Sequence, residues 1–114
     1  MTERDGYLAE NWPTDADGDA LRRLASEGIE IDKPYWVDFN VDFEKWPPPN
    51  EAIELLISKF PGAFLEREAD SDDGYILLKL FGTLSYKWVV QTQKELSNLM
   101  EPFHGSCQSW GVLL

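Results

Sequence analysis

The stretch Tyr35-Trp36-Val37-Asp38-Phe39-Asn40-Val41-Asp42-Phe43 constrains the fold more than any other part of the chain. In extended backbone, successive side chains point to opposite faces. Tyr35, Val37, Phe39, Val41 and Phe43 then share one side, and Trp36, Asp38, Asn40 and Asp42 share the other. No helical period fits this order, and β-branched and aromatic side chains suit a pleated surface. The stretch predicts a central β-strand with one face in a core and an acidic outer face. What that outer face does is the functional question.

The rest of the chain supplies partners for the strand. Before it, Leu21, Leu24 and Ala25 have helical spacing, so residues 15–27 predict a short helix. Thr14 with Asp17 reads as a capping box, and Gly28 as its stop. After the strand, Trp46-Pro47-Pro48-Pro49 forbids a continued ladder. Asn50 is expected to cap a helix whose buried stripe is Ile53, Leu56, Ile57 and Phe60, with Glu51, Glu54 and Ser58 outside. Residues 63–69 predict a second strand, placed at a sheet edge by its charges, with Glu66 and Glu68 on one face and Leu65 opposite.

A turn at 70–74 leads to a third strand, 75–84. Ile76, Leu78 and Leu80 face inward there, because burying Lys79 without a partner is costly. Tyr75, Leu77 and Phe81 then join Lys79 on the outer face. Residues 85–103 predict a long helix burying Val89, Leu96, Leu99, Met100 and Phe103, with Trp88 at the edge of that stripe. His104-Gly105 ends it, and residues 106–114 give a last strand carrying Trp110 and Gly111.

After the leading helix the order is β-α-β-β-α-β. This is the ferredoxin-like pattern, an α+β sandwich with an antiparallel four-stranded sheet in the order 4-1-3-2 and both helices on one face. Residues 1–13 are expected to form an arm, with Trp12 tacking it down, and residues 14–114 a single domain. A chain of 114 residues can bury roughly 65% of its unfolded surface, enough for a core without staples. One cysteine, Cys107, excludes an internal disulfide. The charged N-terminus lacks a secretory pattern, and no apolar run reaches the roughly 20 residues needed to span a bilayer. A cytoplasmic protein without a membrane role is expected.

Charge narrows the partners. There are 10 basic and 21 acidic residues, for a net charge of -11. The imbalance lies mostly in residues 1–57, with 5 basic and 14 acidic residues. Such a field repels nucleic acid, whose affinity comes mainly from Lys and Arg on phosphates, and attracts basic protein segments.

Several landmarks resemble the RraB-like proteins, regulators of ribonuclease E activity, over nearly the full length. They are the helix Asp15-Ala16-Asp17-Gly18-Asp19-Ala20-Leu21-Arg22-Arg23-Leu24-Ala25, then Gly28, then Lys33-Pro34 leading to Asp38-Phe39. Cys107-Gln108-Ser109-Trp110-Gly111 is similar to the family's closing Tyr-Asp-Gly-Trp-Gly in its last two residues. The resemblance implies a protein that binds the ribonuclease's non-catalytic scaffold and is not itself an enzyme.

Other chemistry finds little support in the residues. Asp15-x-Asp17-x-Asp19 looks like a calcium loop, but Ala20 and Ser26 stand where the turn glycine and bidentate glutamate belong. Asp38 and Asn40, like Asn40 and Asp42, are about 7 Å apart along a strand, too far to share a metal unaided. His104 and Cys107 would diverge in extended chain, so no dyad is expected. Aromatics on the outer face resemble an RNA-recognition sheet, but its basic signature is missing. No catalytic residue, metal or cofactor is assigned. The partner surface is placed on Trp36, Asp38, Asn40, Asp42, Tyr75 and Phe81. The alternatives are a small-ligand domain or enzyme with a pocket near Trp110 and His104, and a homodimer packed sheet to sheet.

Overall fold

The computed structural model describes residues 13–70 and 73–113. Its elements are α1 (Ala16–Ser26), β1 (Pro34–Phe43), α2 (Asn50–Lys59), β2 (Phe64–Asp70), β3 (Asp73–Thr83), α3 (Tyr86–Met100), a 3-10 turn (Glu101–Phe103) and β4 (Gly105–Val112). The sheet order is β2-β3-β1-β4 with every neighbouring pair antiparallel. This is the expected 4-1-3-2 order read from the other edge. Two βαβ units interleave, which puts β1 and β3 in the centre. The expected arm up to Trp12, and the expectations for residues 71, 72 and 114, lie outside the described residues.

The inner face of β1 forms the core. Val37, Phe39, Val41 and Phe43 are buried beside Ile76 and Leu78 of β3. Leu80, expected inside with them, is half-buried. Leu21, Leu56, Val89, Leu96 and Met100 close the core from the helices. Phe39 meets Trp88 edge to face, with ring centroids 5.6 Å apart. Trp88 in turn leaves no room for a side chain at Gly82: an added Cβ would lie 2.6 Å from its ring.

A bulge sets the inner face of β4. The register with β1 shifts between Asn40 and Val41, so that Trp110 opposes Phe39 while Cys107 opposes Val41. One extra residue on the bulged strand reverses the alternation locally. Both Trp110 and Cys107 thereby reach the helix side. A regular strand would have sent one of them outward.

The helix ends differ from expectation in physical detail. Asp15, not Thr14, caps α1: its carboxylate accepts from the Gly18 N–H at 2.8 Å. Asp15 has the extended backbone that a cap requires. Gly28, at φ 93°, closes the other end, where Ile29 N–H donates to the Leu24 carbonyl and Gly28 N–H to that of Ala25. Helix α2 starts with Asn50 inside it; Pro49 is the cap and makes no side-chain bond. Its buried residues are Ala52, Ile53 and Leu56, and Ile57 is 54% exposed. Helix α3 ends at Met100 because Pro102 cannot continue the hydrogen-bond ladder. Leu99 and Phe103 are consequently only half-buried, while Thr92 and Gln93, not expected inside, are buried.

Candidate functional site: the open face of the sheet

Helix α1 joins the helix layer. Asp17 Oδ1 accepts from Trp110 Nε1 of β4 at 2.8 Å and from Gln93 Nε2 of α3 at 3.0 Å. Asp15 Oδ2 accepts from the Tyr86 hydroxyl at 2.6 Å. That bond, with the one from Gly18, holds the Asp15 carboxyl below its ordinary range, and the same contact pushes the Tyr86 phenol up. Gly18 is buried, and a Cβ there would overlap the Pro13 carbonyl oxygen. The acidic run that mimics a calcium loop is therefore a helix start whose carboxylates are used by β4 and α3. Among the described residues no cluster of three or more His, Cys, Asp or Glu is placed to hold a metal.

With α1 on the helix side, the other face of the sheet is not covered by any described element. The register brings the expected residues together on it. Trp36 lies opposite Phe81, Asp38 opposite Lys79, Asn40 opposite Leu77 and Asp42 opposite Tyr75. One end of the face is apolar. Trp36 sits between Phe64 and Phe81, with centroids 5.3 Å from each ring. Phe64 is 62% and Phe81 57% exposed. Leu113, also exposed, donates its N–H to the Trp36 carbonyl and extends this patch past the end of β4.

Phe64 and Leu113 were not expected on the face. For Phe64 a signal existed: it stands two residues before Glu66 and shares its alternation. Nothing comparable marked Leu113, because its side depends on the β4 bulge.

The middle of the face is polar. Lys79 Nζ donates to Glu66 Oε1 at 2.9 Å. Asp38 Oδ1 and Asn40 Oδ1 are buried and have no hydrogen-bond donor. Burial pushes the Asp38 carboxyl above its ordinary range; Lys79 pulls the other way and Glu66 adds to the rise. A folded-state value above the unfolded one means that this carboxyl favours folding below its ordinary pKa. That contribution is lost as pH rises through the raised value.

Trp110 does not line the cleft that holds His104. Trp110 is held by Asp17 on the helix side. His104 lines an open cleft of about 340 Å³ with Asp42, Glu44 and Glu101, and its Nδ1 lies 3.8 Å from Glu44 Oε2. Cys107 faces the core, 4% exposed, with its Sγ donating to the Ser109 carbonyl at 3.7 Å. Burial pushes its thiol up to about 12. The folded chain then keeps this proton between the ordinary thiol range and pH 12, where the unfolded chain releases it, so stability falls as pH rises through that window. Reactivity follows the thiolate. A disulfide reagent at about pH 8 should modify Cys107 at least ~100-fold more slowly in the native protein than in denaturant. Equal rates would show an accessible thiol.

Fold and face together define a ferredoxin-like α+β domain with an aromatic and acidic sheet surface that no described element covers. The family model described as Regulator of ribonuclease activity B matches residues 14–112, and the chain belongs to this RraB family. Its description assigns the family to the regulation of ribonuclease activity. No curated protein matches the chain. Two of the landmarks that carry the resemblance, Asp17 and Trp110, are hydrogen-bonded to each other across the fold. Among the described residues no helix is long and apolar enough to cross a membrane.

Proposed function

We propose that this chain is a non-enzymatic regulator that acts in the cytoplasm by binding a ribonuclease through the open face of its sheet. Family membership supports the ribonuclease as partner; the resemblance implies ribonuclease E and its non-catalytic scaffold. The observation that carries the choice of surface is the aromatic cluster in which exposed Phe64 and Phe81 flank half-buried Trp36, and which no described element covers. Exposed apolar patches rimmed by polar residues mark interaction surfaces. Aromatic residues are also enriched among those that dominate interface energies. Asp38, Asn40, Asp42 and Tyr75 form the polar continuation of the same surface.

Trp36→Ala and Phe81→Ala should each weaken binding to the ribonuclease scaffold by about 30-fold, the effect of losing a central aromatic anchor worth about 2 kcal/mol. Surface plasmon resonance measures this, and RNA cleavage assays should show the regulatory effect falling in parallel. Wild-type affinity in both variants would remove the open face from consideration. A second copy of the chain is the competing occupant. Light scattering at the assay concentration distinguishes it, since a sheet-to-sheet dimer would dissociate on the same substitutions.

A further inference from the structure

We propose that the open face is an arginine receptor. It holds an arginine-bearing segment of the partner, with a guanidinium against the Trp36–Phe64–Phe81 rings and N–H groups of the same segment on the side-chain oxygens of Asp38 and Asn40. This deepens the open-face reading and rests on it.

Asp38 and Asn40 supply the first reason. Their Oδ1 atoms are buried acceptors without donors, two residues apart on one side of β1. A buried acceptor left unpaired is unfavourable, and an arriving donor relieves it. No hydrogen bond within the chain holds either oxygen, so a ligand that reaches them displaces none. Lys79, directly across from Asp38, reaches Glu66.

The kind of donor follows from the neighbours. The ligand must offer N–H groups to two acceptors about 7 Å apart along the strand. It must also lie flat against exposed aromatic rings. Guanidinium has five donors in a rigid fork, no acceptor, and stacks on aromatic faces. Ammonium is a compact, strongly hydrated point charge and fits such a surface less well. Asp38, Asp42 and Glu66 outnumber Lys79 on the face, and the whole chain carries -11, so the field draws a cation and repels phosphate.

Fluorescein-labelled peptides test this without the ribonuclease. One ten-residue peptide carries two arginines among leucine, serine and glycine; its matched forms carry lysine or uncharged citrulline. By anisotropy the arginine peptide should bind about tenfold more tightly than the lysine peptide, and the citrulline peptide more weakly than both. Asp38→Asn and Asn40→Leu should each weaken the arginine peptide about tenfold. Glu51→Gln, which removes the same charge as Asp38→Asn from exposed α2, should leave it unchanged. Trp36→Phe should retain binding where Trp36→Ala loses it, which separates stacking from folding. Equal affinity for arginine and lysine, or equal effects of Asp38→Asn and Glu51→Gln, would reduce the attraction to net charge and overturn the proposal. Absence of peptide binding, with the scaffold still sensitive to Trp36→Ala, overturns the arginine assignment alone. A scaffold indifferent to Trp36→Ala overturns both readings.

Discussion

Asp17→Ala should destabilise the protein by about 2–4 kcal/mol, lowering its melting temperature by roughly 10–20 °C. The carboxylate serves two donors on two elements, Trp110 Nε1 of β4 and Gln93 Nε2 of α3. Hydrogen bonds to charged groups contribute about 1.5–3 kcal/mol each. The losses are unequal. Gln93 keeps its bond to the Val89 carbonyl at 3.1 Å, whereas the indole has no other hydrogen bond among the described residues. Asp17→Asn retains an acceptor oxygen and should recover about half of the loss. Hydrogen exchange adds the spatial readout: amides of α1 should lose protection before those of β1 and β3 do, since Asp17 ties α1 to the other two elements. Uniform loss of protection, or a cost below about 0.5 kcal/mol, would show that apolar contacts such as Leu21 hold the helix and that the carboxylate is incidental.

The same hydrogen bond shows what sequence could reveal. Strand and helix order was legible because each element carries its own period, and Lys79 was enough to set which face of β3 looks outward. The sheet order followed from connectivity, and Trp36, Asp38, Asn40 and Asp42 of β1 do share one face with Tyr75 and Phe81 of β3. What stayed hidden was non-local. Asp17, Gln93 and Trp110 are 76 and 93 positions apart in their pairings, and each looks ordinary in its own segment. Ile57 fits a helical stripe, but the residues that α2 buries are Ala52, Ile53 and Leu56. A helix of 10 residues carries enough apolar side chains to support either stripe. The bulge at Asn40/Val41 has no turn chemistry in the sequence, and it decides the sidedness of Cys107 and Leu113.

Substitutions on the two faces of β1 should have opposite consequences. Phe39→Ala should cost about 3–5 kcal/mol, because the ring is fully buried against Trp88 and its removal leaves a cavity between a sheet and a helix. Against a typical total of about 5–15 kcal/mol, this leaves a marginal fold. Trp36→Ala, three residues earlier on the opposite face, should cost only about 1 kcal/mol, the value of its contacts with Phe64 and Phe81. Its effect on scaffold binding should nevertheless be the larger of the two once the fraction folded is taken into account. Urea titrations measure the stabilities, and binding measured with increasing urea supplies the correction. If Trp36→Ala proved as destabilising as Phe39→Ala, the aromatic cluster would be a second core. The open face would then be a structural surface, and the acidic side of β1 would no longer indicate a partner. If the two effects part as expected, the alternation of one strand divides the labour of the domain: Val37, Phe39, Val41 and Phe43 hold the fold, while Trp36, Asp38, Asn40 and Asp42 are left to meet something else.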